Sequence, residues 1–186
     1  MTFSWTQHRF SGGALALDVA NSVILRFDAE RRIDRYADPV AMRDFATAAN
    51  RFSAEKELFG TLEPVTPENH AAFLDLREAT DRHFRAGVLG TSTAEDLADL
   101  LDAASVIIRR HKAKTGRTPL DDATARSALV LATFKEPERL KICPNCQWLF
   151  LDRSRNRSRT WCDMTVCGNR MKANRHYQRQ KKELTA

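Results

Sequence analysis

The chain has 186 residues, of which 42% are hydrophobic, and it carries a formal net charge of +6. This length and composition suit one medium domain with a core of its own and a small appended domain. No run approaches the roughly 18 apolar residues of a membrane span, and the first residues lack the basic and apolar regions of a signal peptide. We therefore expect a soluble cytoplasmic protein with no membrane partner.

The first part of the chain predicts two helices and a short strand. An amphipathic pattern covers residues 14–27, directly after a glycine pair. Asp38 has the features of an N-cap, and the proline that follows it suits the first position of a helix at 39–51. Between these helices, residues 30–37 alternate loosely between polar and apolar side chains, which is typical of a strand.

Three more helices are predicted before the first cysteine. A Thr-Pro pair starts an apolar period at 66–88, as the Asp-Pro pair does for the second helix. Ser92 and Glu95 have the spacing of a capping box, and the helix that they start is expected to end near Gly116. The last of the three is predicted at 121–135.

Pro137 breaks this fifth helix, so we predict a helical domain at 1–136 and a second domain at 137–186. The charge changes at nearly the same place. Residues 1–134 carry a net charge of −2, whereas residues 135–186 carry 13 Lys and Arg against five Asp and Glu. Because the connection is short, we expect the two domains to touch.

All four cysteines lie in the predicted second domain, in the pattern Cys143-x2-Cys146-x15-Cys162-x4-Cys167. Two close pairs separated by a hairpin-length stretch predict one structural, tetrahedral zinc site. Two disulfides are an alternative that a reducing cytoplasm disfavours, and an iron–sulfur cluster is another, although the spacing does not match the common ferredoxin runs. Because metal binding supplies folding energy, Cys162→Ser is expected to unfold residues 140–182 and to leave the helical domain folded.

The order of the segments around the cysteines predicts a knuckle, a hairpin and a helix. We expect the knuckle at 143–146, paired strands at 147–151 and 159–162, and a terminal helix from 168 to about 182. A helix that begins at the last cysteine directs its positive end toward the thiolates. The predicted fold class is therefore mainly α, with an N-terminal helical domain followed by a small α+β zinc finger that resembles a treble clef.

The same residues resemble a known family, the CGNR zinc finger. The resemblance covers about residues 140–182 and rests on the runs CPNC at 143–146, WLFLDRSRN at 148–156, WC at 161–162 and CGNR at 167–170. It implies a zinc-dependent finger that binds DNA and regulates transcription.

The preceding region resembles the ABATE domain, which commonly precedes this finger in bacterial proteins described as stress-induced transcription regulators. The resemblance rests on the glycine pair 12–13 and on an LD-x-x-N pattern at 17–21. Ser22 stands where threonine is expected, and residues 19–20 are smaller than the usual pair. The resemblance implies a regulator whose helical domain is a sensor or a dimerisation unit.

Asp18 and Asn21 are the polar pair of this region that we single out for binding a small-molecule effector, because they share one face of an apolar helix. The alternative is structural: the two side chains cap the glycine turn or hold a neighbouring loop. The sequence leaves a homodimer open.

Ten cations and a single acid, Asp163, occupy residues 153–182. This density of like charge predicts an anionic partner, and nucleic acid, in particular double-stranded DNA, is the partner that we predict. Asn174 and Arg175 are the candidates for reading bases, against an alternative in which the helix contacts only the backbone. The predicted nucleic-acid-binding residues are Arg153, Arg155, Arg157, Arg159, Arg170, Lys172, Asn174, Arg175, Arg179, Lys181 and Lys182.

Two other functions stay open at this point, namely RNA binding and a zinc-stapled module that docks on an acidic protein. Trp148, Phe150 and Trp161 are suited to stacking on unpaired bases, but we favour a role in covering the metal. The sequence has no Gly-rich phosphate loop, nucleophile elbow or HExxH pair, so we expect no enzymatic activity.

Overall fold

A computed structural model describes residues 3–111 and 116–184. In this part of the chain the fold is mainly helical with small sheets, as predicted. None of the helices described is long and apolar enough to cross a bilayer. The helices are α1 (Leu15–Ala20), α2 (Pro39–Phe52), α3 (His70–Leu89), α4 (Ala94–Arg110), α5 (Leu120–Ala132) and α6 (Asn169–Leu184).

Six short strands form three two-stranded sheets in the described residues. Strands β1 and β2 are antiparallel, β3 and β4 are parallel, and β5 and β6 are antiparallel. The strands are β1 (Val23–Ile24), β2 (Ile33–Asp34), β3 (Thr61–Glu63), β4 (Arg117–Pro119), β5 (Leu140–Ile142) and β6 (Leu149–Leu151).

Local capping chemistry sets the starts of α2 and α4. The Asp38 carboxylate accepts a hydrogen bond from the Val40 N–H at 2.9 Å, as an N-cap does. The capping box of α4 is shifted by one residue from the predicted pair, because Thr93 and Asp96 form it. The Asp96 N–H donates to Thr93 Oγ1 at 3.2 Å, and the Thr93 N–H donates to the Asp96 carboxylate at 2.9 Å.

The helix predicted at 14–27 is wrong in its second half. Helix α1 ends at Ala20, and the chain continues into β1 and a turn in which Leu25 has a φ of 47°. Arg26 explains the early end, because its Nη2 donates to the Ala20 carbonyl oxygen at 2.9 Å and satisfies the end of the helix. The strand expected at 30–37 is present as β2.

Strand β6 does not have the partner predicted for it, which was residues 159–162. Strand β6 pairs with β5, with Leu140 opposite Leu151, and residues 159–162 form no strand. The knuckle itself turns the chain, since the Cys143 N–H donates to the Trp148 carbonyl oxygen at 2.8 Å. The two strands of the hairpin therefore flank the knuckle, and not the polar turn as predicted.

Strand β6 also joins the core of the preceding helices. Leu149 and Leu151 lie in one buried cluster with Leu17 of α1, Leu76 of α3 and Leu100 of α4. The two predicted domains are thus in contact through a shared apolar core, while the boundary at residues 136 and 137 stays a prediction. Burial of these leucines stabilises the helices and the strand together.

Hydrogen bonds complete this attachment on the free edge of β6. Asn21 Nδ2 donates to the Leu149 carbonyl oxygen at 2.8 Å, and the Leu149 N–H donates to Asn21 Oδ1 at 3.0 Å. The Leu151 N–H donates to the Gly12 carbonyl oxygen at 2.7 Å. Gly13 has a φ of 79°, and a Cβ there would lie 2.9 Å from the Leu151 carbonyl oxygen, so the close approach requires glycine.

Replacing Asn21 with alanine is expected to destabilise the whole chain. The substitution leaves the buried N–H and carbonyl of Leu149 without their partner, which costs about 3 kcal/mol of unfolding free energy. Urea denaturation measures this loss, and Asn156→Ala, at an exposed position in the turn after β6, is the control. A loss no larger than that of the control would contradict the role of Asn21.

Candidate metal centre and basic helix

The four cysteine sulfurs converge on one point. Each residue offers one Sγ, and all four sulfurs lie within 4.8 Å of one another. The Cys146 and Cys162 sulfurs are 3.5 Å apart, and the Cys162 and Cys167 sulfurs are 3.6 Å apart. Four thiolates bound to one zinc ion at about 2.3 Å have sulfurs about 3.8 Å apart at the corners of a tetrahedron, so the set fits zinc.

These distances favour a zinc ion over two disulfides and over an iron–sulfur cluster. The cysteines are free, and the closest sulfurs lie well beyond the roughly 2.05 Å of a disulfide bond. An iron–sulfur cluster needs a wider cage, because its thiolates bind different iron atoms. The cysteine set therefore holds one structural zinc ion.

Hydrogen-bond donors lie beside two of the sulfurs. Asn145 Nδ2 donates to the Cys167 sulfur at 3.3 Å. The side chains of Cys146 and Cys162, together with the backbone N–H groups of the same two residues, lower the pKa of the Cys143 thiol, whereas the neighbouring Cys143 side chain and burial raise the pKa values of the Cys146 and Cys162 thiols. Donors beside a sulfur stabilise it as a thiolate ligand of a metal ion.

Aromatic side chains enclose this centre. Trp148 and Phe150 lie in one buried cluster with three of the cysteines, and Trp161 packs against that cluster. Trp148 is only 4% exposed and Phe150 is fully buried. Covering the metal, and not stacking on bases, accounts for these two rings.

Asp152 and Lys141 hold the polar turn that follows β6. Asp152 is buried and accepts hydrogen bonds from Lys141 Nζ at 2.8 Å, from the Ser154 N–H at 2.9 Å and from the Arg159 N–H at 2.9 Å. Lys141 Nζ also donates to the Arg157 carbonyl oxygen at 2.7 Å. Burial opposes the charge of Asp152, but its hydrogen bonds outweigh burial and hold its pKa well below the usual value.

The last cysteine leads directly into α6. Asp163 caps the π-helical turn Met164–Gly168, because its side chain accepts from the Thr165 and Val166 N–H groups. Cys167 lies in this turn, and α6 starts at Asn169, as predicted. The Met164 and Trp161 side chains pack closely on Gly168, where the absence of a Cβ leaves room for both.

Three of the four arginines predicted at the polar turn have partners within the protein. Arg153 Nε donates to the Gly13 carbonyl oxygen at 2.7 Å, Arg157 forms ion pairs with Glu136 and Glu138, and Arg159 Nη2 donates to the Cys162 carbonyl oxygen. Arg155 is exposed. The turn is therefore partly neutralised.

The predicted nucleic-acid-binding residues of α6 are exposed, as far as the structure describes them. Met171, at the start of the helix, is half-buried, and the helix is exposed from residue 172 to residue 181. The side chain of Lys182 lies outside the described residues. The exposed set is Arg170, Lys172, Asn174, Arg175, Arg179 and Lys181.

Asp18 and Asn21, predicted to bind an effector, are turned inward. Asp18 is fully buried, and its Oδ1 accepts from the Gly12 N–H at 2.8 Å. Asn21 is 3% exposed and holds β6. The alternative in which the pair caps the glycine turn and ties down a neighbouring segment accounts for both. Burial raises the pKa of Asp18 well above its usual value.

The sequence did not predict that His8 and Arg9, near the N-terminus, lie against the metal centre. His8 Nδ1 lies 2.9 Å from Asp163 Oδ2, and its ring stacks on Trp148 at a centroid distance of 5.4 Å. Arg9 lies over the same Trp148 ring, at 5.4 Å. No local pattern signals these contacts, because the His8 and Asp163 partners are 155 residues apart.

Comparison with known proteins agrees with this geometry. The cysteine cluster, the knuckle and the helix define a small zinc finger with one structural metal ion. Residues 139–180 match the CGNR zinc finger family. No curated protein and no solved structure matches the chain.

The shared core changes the outcome that the sequence predicted for Cys162→Ser. Because Leu149 and Leu151 stabilise the helices, loss of zinc is expected to lower the unfolding temperature of the whole chain in a single transition. Metal analysis and thermal circular dichroism measure this, with exposed Ser158→Ala as the control. Helices that melt at the wild-type temperature after zinc is lost would contradict it.

Asp152→Asn is expected to reveal a pH-dependent contribution to stability. The folded pKa of Asp152 is lowered, so its stabilising effect is complete above the unfolded value of about 3.9 and disappears as the pH falls below it. The difference in unfolding free energy between wild type and variant should stay constant from about pH 8 to 6 and narrow below about pH 4. A difference that narrows already between pH 8 and 6 would refute the assignment.

Proposed function

We propose that this protein is a transcriptional regulator whose zinc finger binds double-stranded DNA through α6. The observation that carries the proposal is the exposure of this helix from residue 172 to residue 181, together with its excess of positive charge. A polar helix without an apolar face gains little stability from packing, and a nucleic acid would supply negative charge to its cations.

The distribution of the cations on α6 favours duplex DNA. At 100° per residue, Lys172, Arg175 and Arg179 lie on one face of the helix, and Arg170 and Lys181 lie on the opposite face. A helix in the major groove of B-DNA has a phosphate backbone on each side. Positive charge on two opposite faces suits that position better than it suits a single flat anionic surface.

The side chains between these two faces suit the floor of the groove. Gln178 lies in that sector, with Asn174 and Arg175 at its borders. Asparagine and glutamine pair with adenine, and arginine pairs with guanine, through two hydrogen bonds each. We therefore assign base reading to Asn174 and Arg175 and phosphate contacts to the other cations.

The helical region supplies regulation in this proposal. Its resemblance to the ABATE domain supports a sensor or dimerisation role, a response to stress and a bacterial, cytoplasmic setting in which the four thiols stay reduced. A zinc ion held by four thiolates has no open position for a reacting water, which supports a binding role over an enzymatic one. Any effector site would lie elsewhere than at buried Asp18 and Asn21.

The double variant Lys172→Gln/Arg179→Gln tests the proposal. Loss of two phosphate contacts should weaken binding to a random duplex about 50-fold at 0.1 M salt, and it should reduce the slope of log K against log salt by about two. Fluorescence anisotropy measures both quantities. The matched control is Arg43→Gln/Arg51→Gln, which removes two exposed charges from α2.

Three results would count against the proposal. Equal effects of the two double variants would remove α6 from the interface. Tighter binding of structured RNA than of duplex DNA at matched salt would identify RNA as the partner. Failure to bind either nucleic acid would favour a module that docks on an acidic protein.

A further inference from the structure

A second group of cations lies near the metal centre, outside α6. The guanidinium of Arg9 lies over Trp148, which is two residues after the zinc ligand Cys146. Arg9 also lies 5.9 Å from the centroid of the Phe3 ring, and Arg35 lies 4.1 Å from the centroid of the same ring. One aromatic side chain therefore holds two arginines from the helical region close together.

The first turn of α6 adds a third arginine to this group. Arg170 is three residues after Cys167, whose sulfur lies within 4.8 Å of the Cys146 sulfur. Trp148, on which Arg9 lies, shares one buried cluster with Cys167, so the first turn of α6 begins beside the Arg9 side chain. Burial lowers the pKa of the Arg9 guanidinium, the positive charges of Arg35 and Arg170 lower it further, and the Cys146 sulfur opposes this effect.

No acidic side chain neutralises this group within the described part of the chain. Arg9, Arg35 and Arg170 form no ion pair there, whereas Arg26, Arg77 and Arg85 each pair with a carboxylate. The buried Nε of Arg35 has no hydrogen-bond partner either. The excess negative charge of four thiolates on one zinc ion offsets part of this positive charge, and a bound phosphate would add charge-assisted hydrogen bonds to guanidinium donors that have no carboxylate partner.

We propose that Arg9, Arg35 and Arg170 form a binding site for a phosphate of the nucleic acid that α6 binds. The proposal rests on the proposed function and extends it, because it makes the segment that precedes α1 part of the interface. A phosphate bound there satisfies several guanidinium donors at once and fixes the position of α6 along the duplex. The helical region then contributes directly to DNA affinity, and not only to regulation.

The test uses full-length protein and a random-sequence DNA duplex at several salt concentrations. Arg9→Gln, Arg35→Gln and Arg170→Gln are each expected to weaken binding about tenfold at 0.1 M salt and to lower the salt slope by about one. Arg43→Gln is the control, since it removes one exposed charge from α2 and should change neither quantity. Arg9→Lys retains the charge and should retain the salt slope.

The outcomes separate this proposal from the proposed function. If the three variants behave like Arg43→Gln while Lys172→Gln/Arg179→Gln loses binding, the arginine site is wrong and the role of α6 stands. If the wild type binds no nucleic acid, both proposals fail. Zinc content and unfolding temperature show whether Arg9→Gln also disturbs the stacking on Trp148. If it does, Arg35→Gln and Arg170→Gln provide the test: a smaller salt slope supports the arginine site, and an unchanged slope contradicts it.

Discussion

Strand β6 is held on both edges, and the relation between the metal centre and the helical core depends on this double attachment. On one edge it pairs with β5, and on the other it bonds to Gly12 and Asn21. Leu149 and Leu151 pack into the core of the helices. Phe150, within the strand, and Trp148, directly before it, cover the cysteines. A strand of three residues is too short to be stable alone, so the zinc ion on one side and the helices on the other stabilise each other through it.

This attachment determines what the basic helix can do. Helix α6 has few partners of its own, and its direction is set at its first turn, where Cys167 binds the metal and Gly168 packs against Met164. Because the metal centre is fixed to the helical region, the exposed cations of α6 keep a constant position relative to Arg9 and Arg35. A rigid charged surface binds a duplex with less loss of conformational entropy than a flexible tail does. In the proposed function, the zinc ion thus favours nucleic-acid binding by positioning α6 and not by contacting the nucleic acid.

Features that depend on neighbouring residues could be predicted from the sequence. The spacing of Cys143, Cys146, Cys162 and Cys167 identified the metal site, and Asp38 identified the start of α2, because ligand spacing and capping act within one turn. The chain has no local pattern that announces long-range pairing. The sequence predicts that strand 149–151 pairs with residues 159–162, whereas it pairs with β5. Strand β5 has only three residues, which is too short for its apolar side chains to show an alternating pattern.

Long-range contacts also explain why the surroundings of several other residues could not be predicted. Asn21 looked like a ligand-binding residue on a helix face because its partner, the backbone of Leu149, lies 128 residues away. Arg26 looked like a helical residue because its role as a cap for Ala20 depends on a turn that the apolar pattern does not encode. Arg153 and Arg157 looked free, but their partners Gly13 and Glu136 are brought to them only by the fold.

We propose that zinc organises the surface through which this protein binds nucleic acid. The most direct test is the affinity of full-length protein for a random DNA duplex, measured as purified, after removal of zinc with a chelator, and after zinc is restored. We expect affinity to be lost with the metal and recovered with zinc but not with magnesium, whose preferred ligands are oxygen atoms. Unchanged affinity of the zinc-free protein would contradict this role of zinc, because the charge of α6 alone would then suffice.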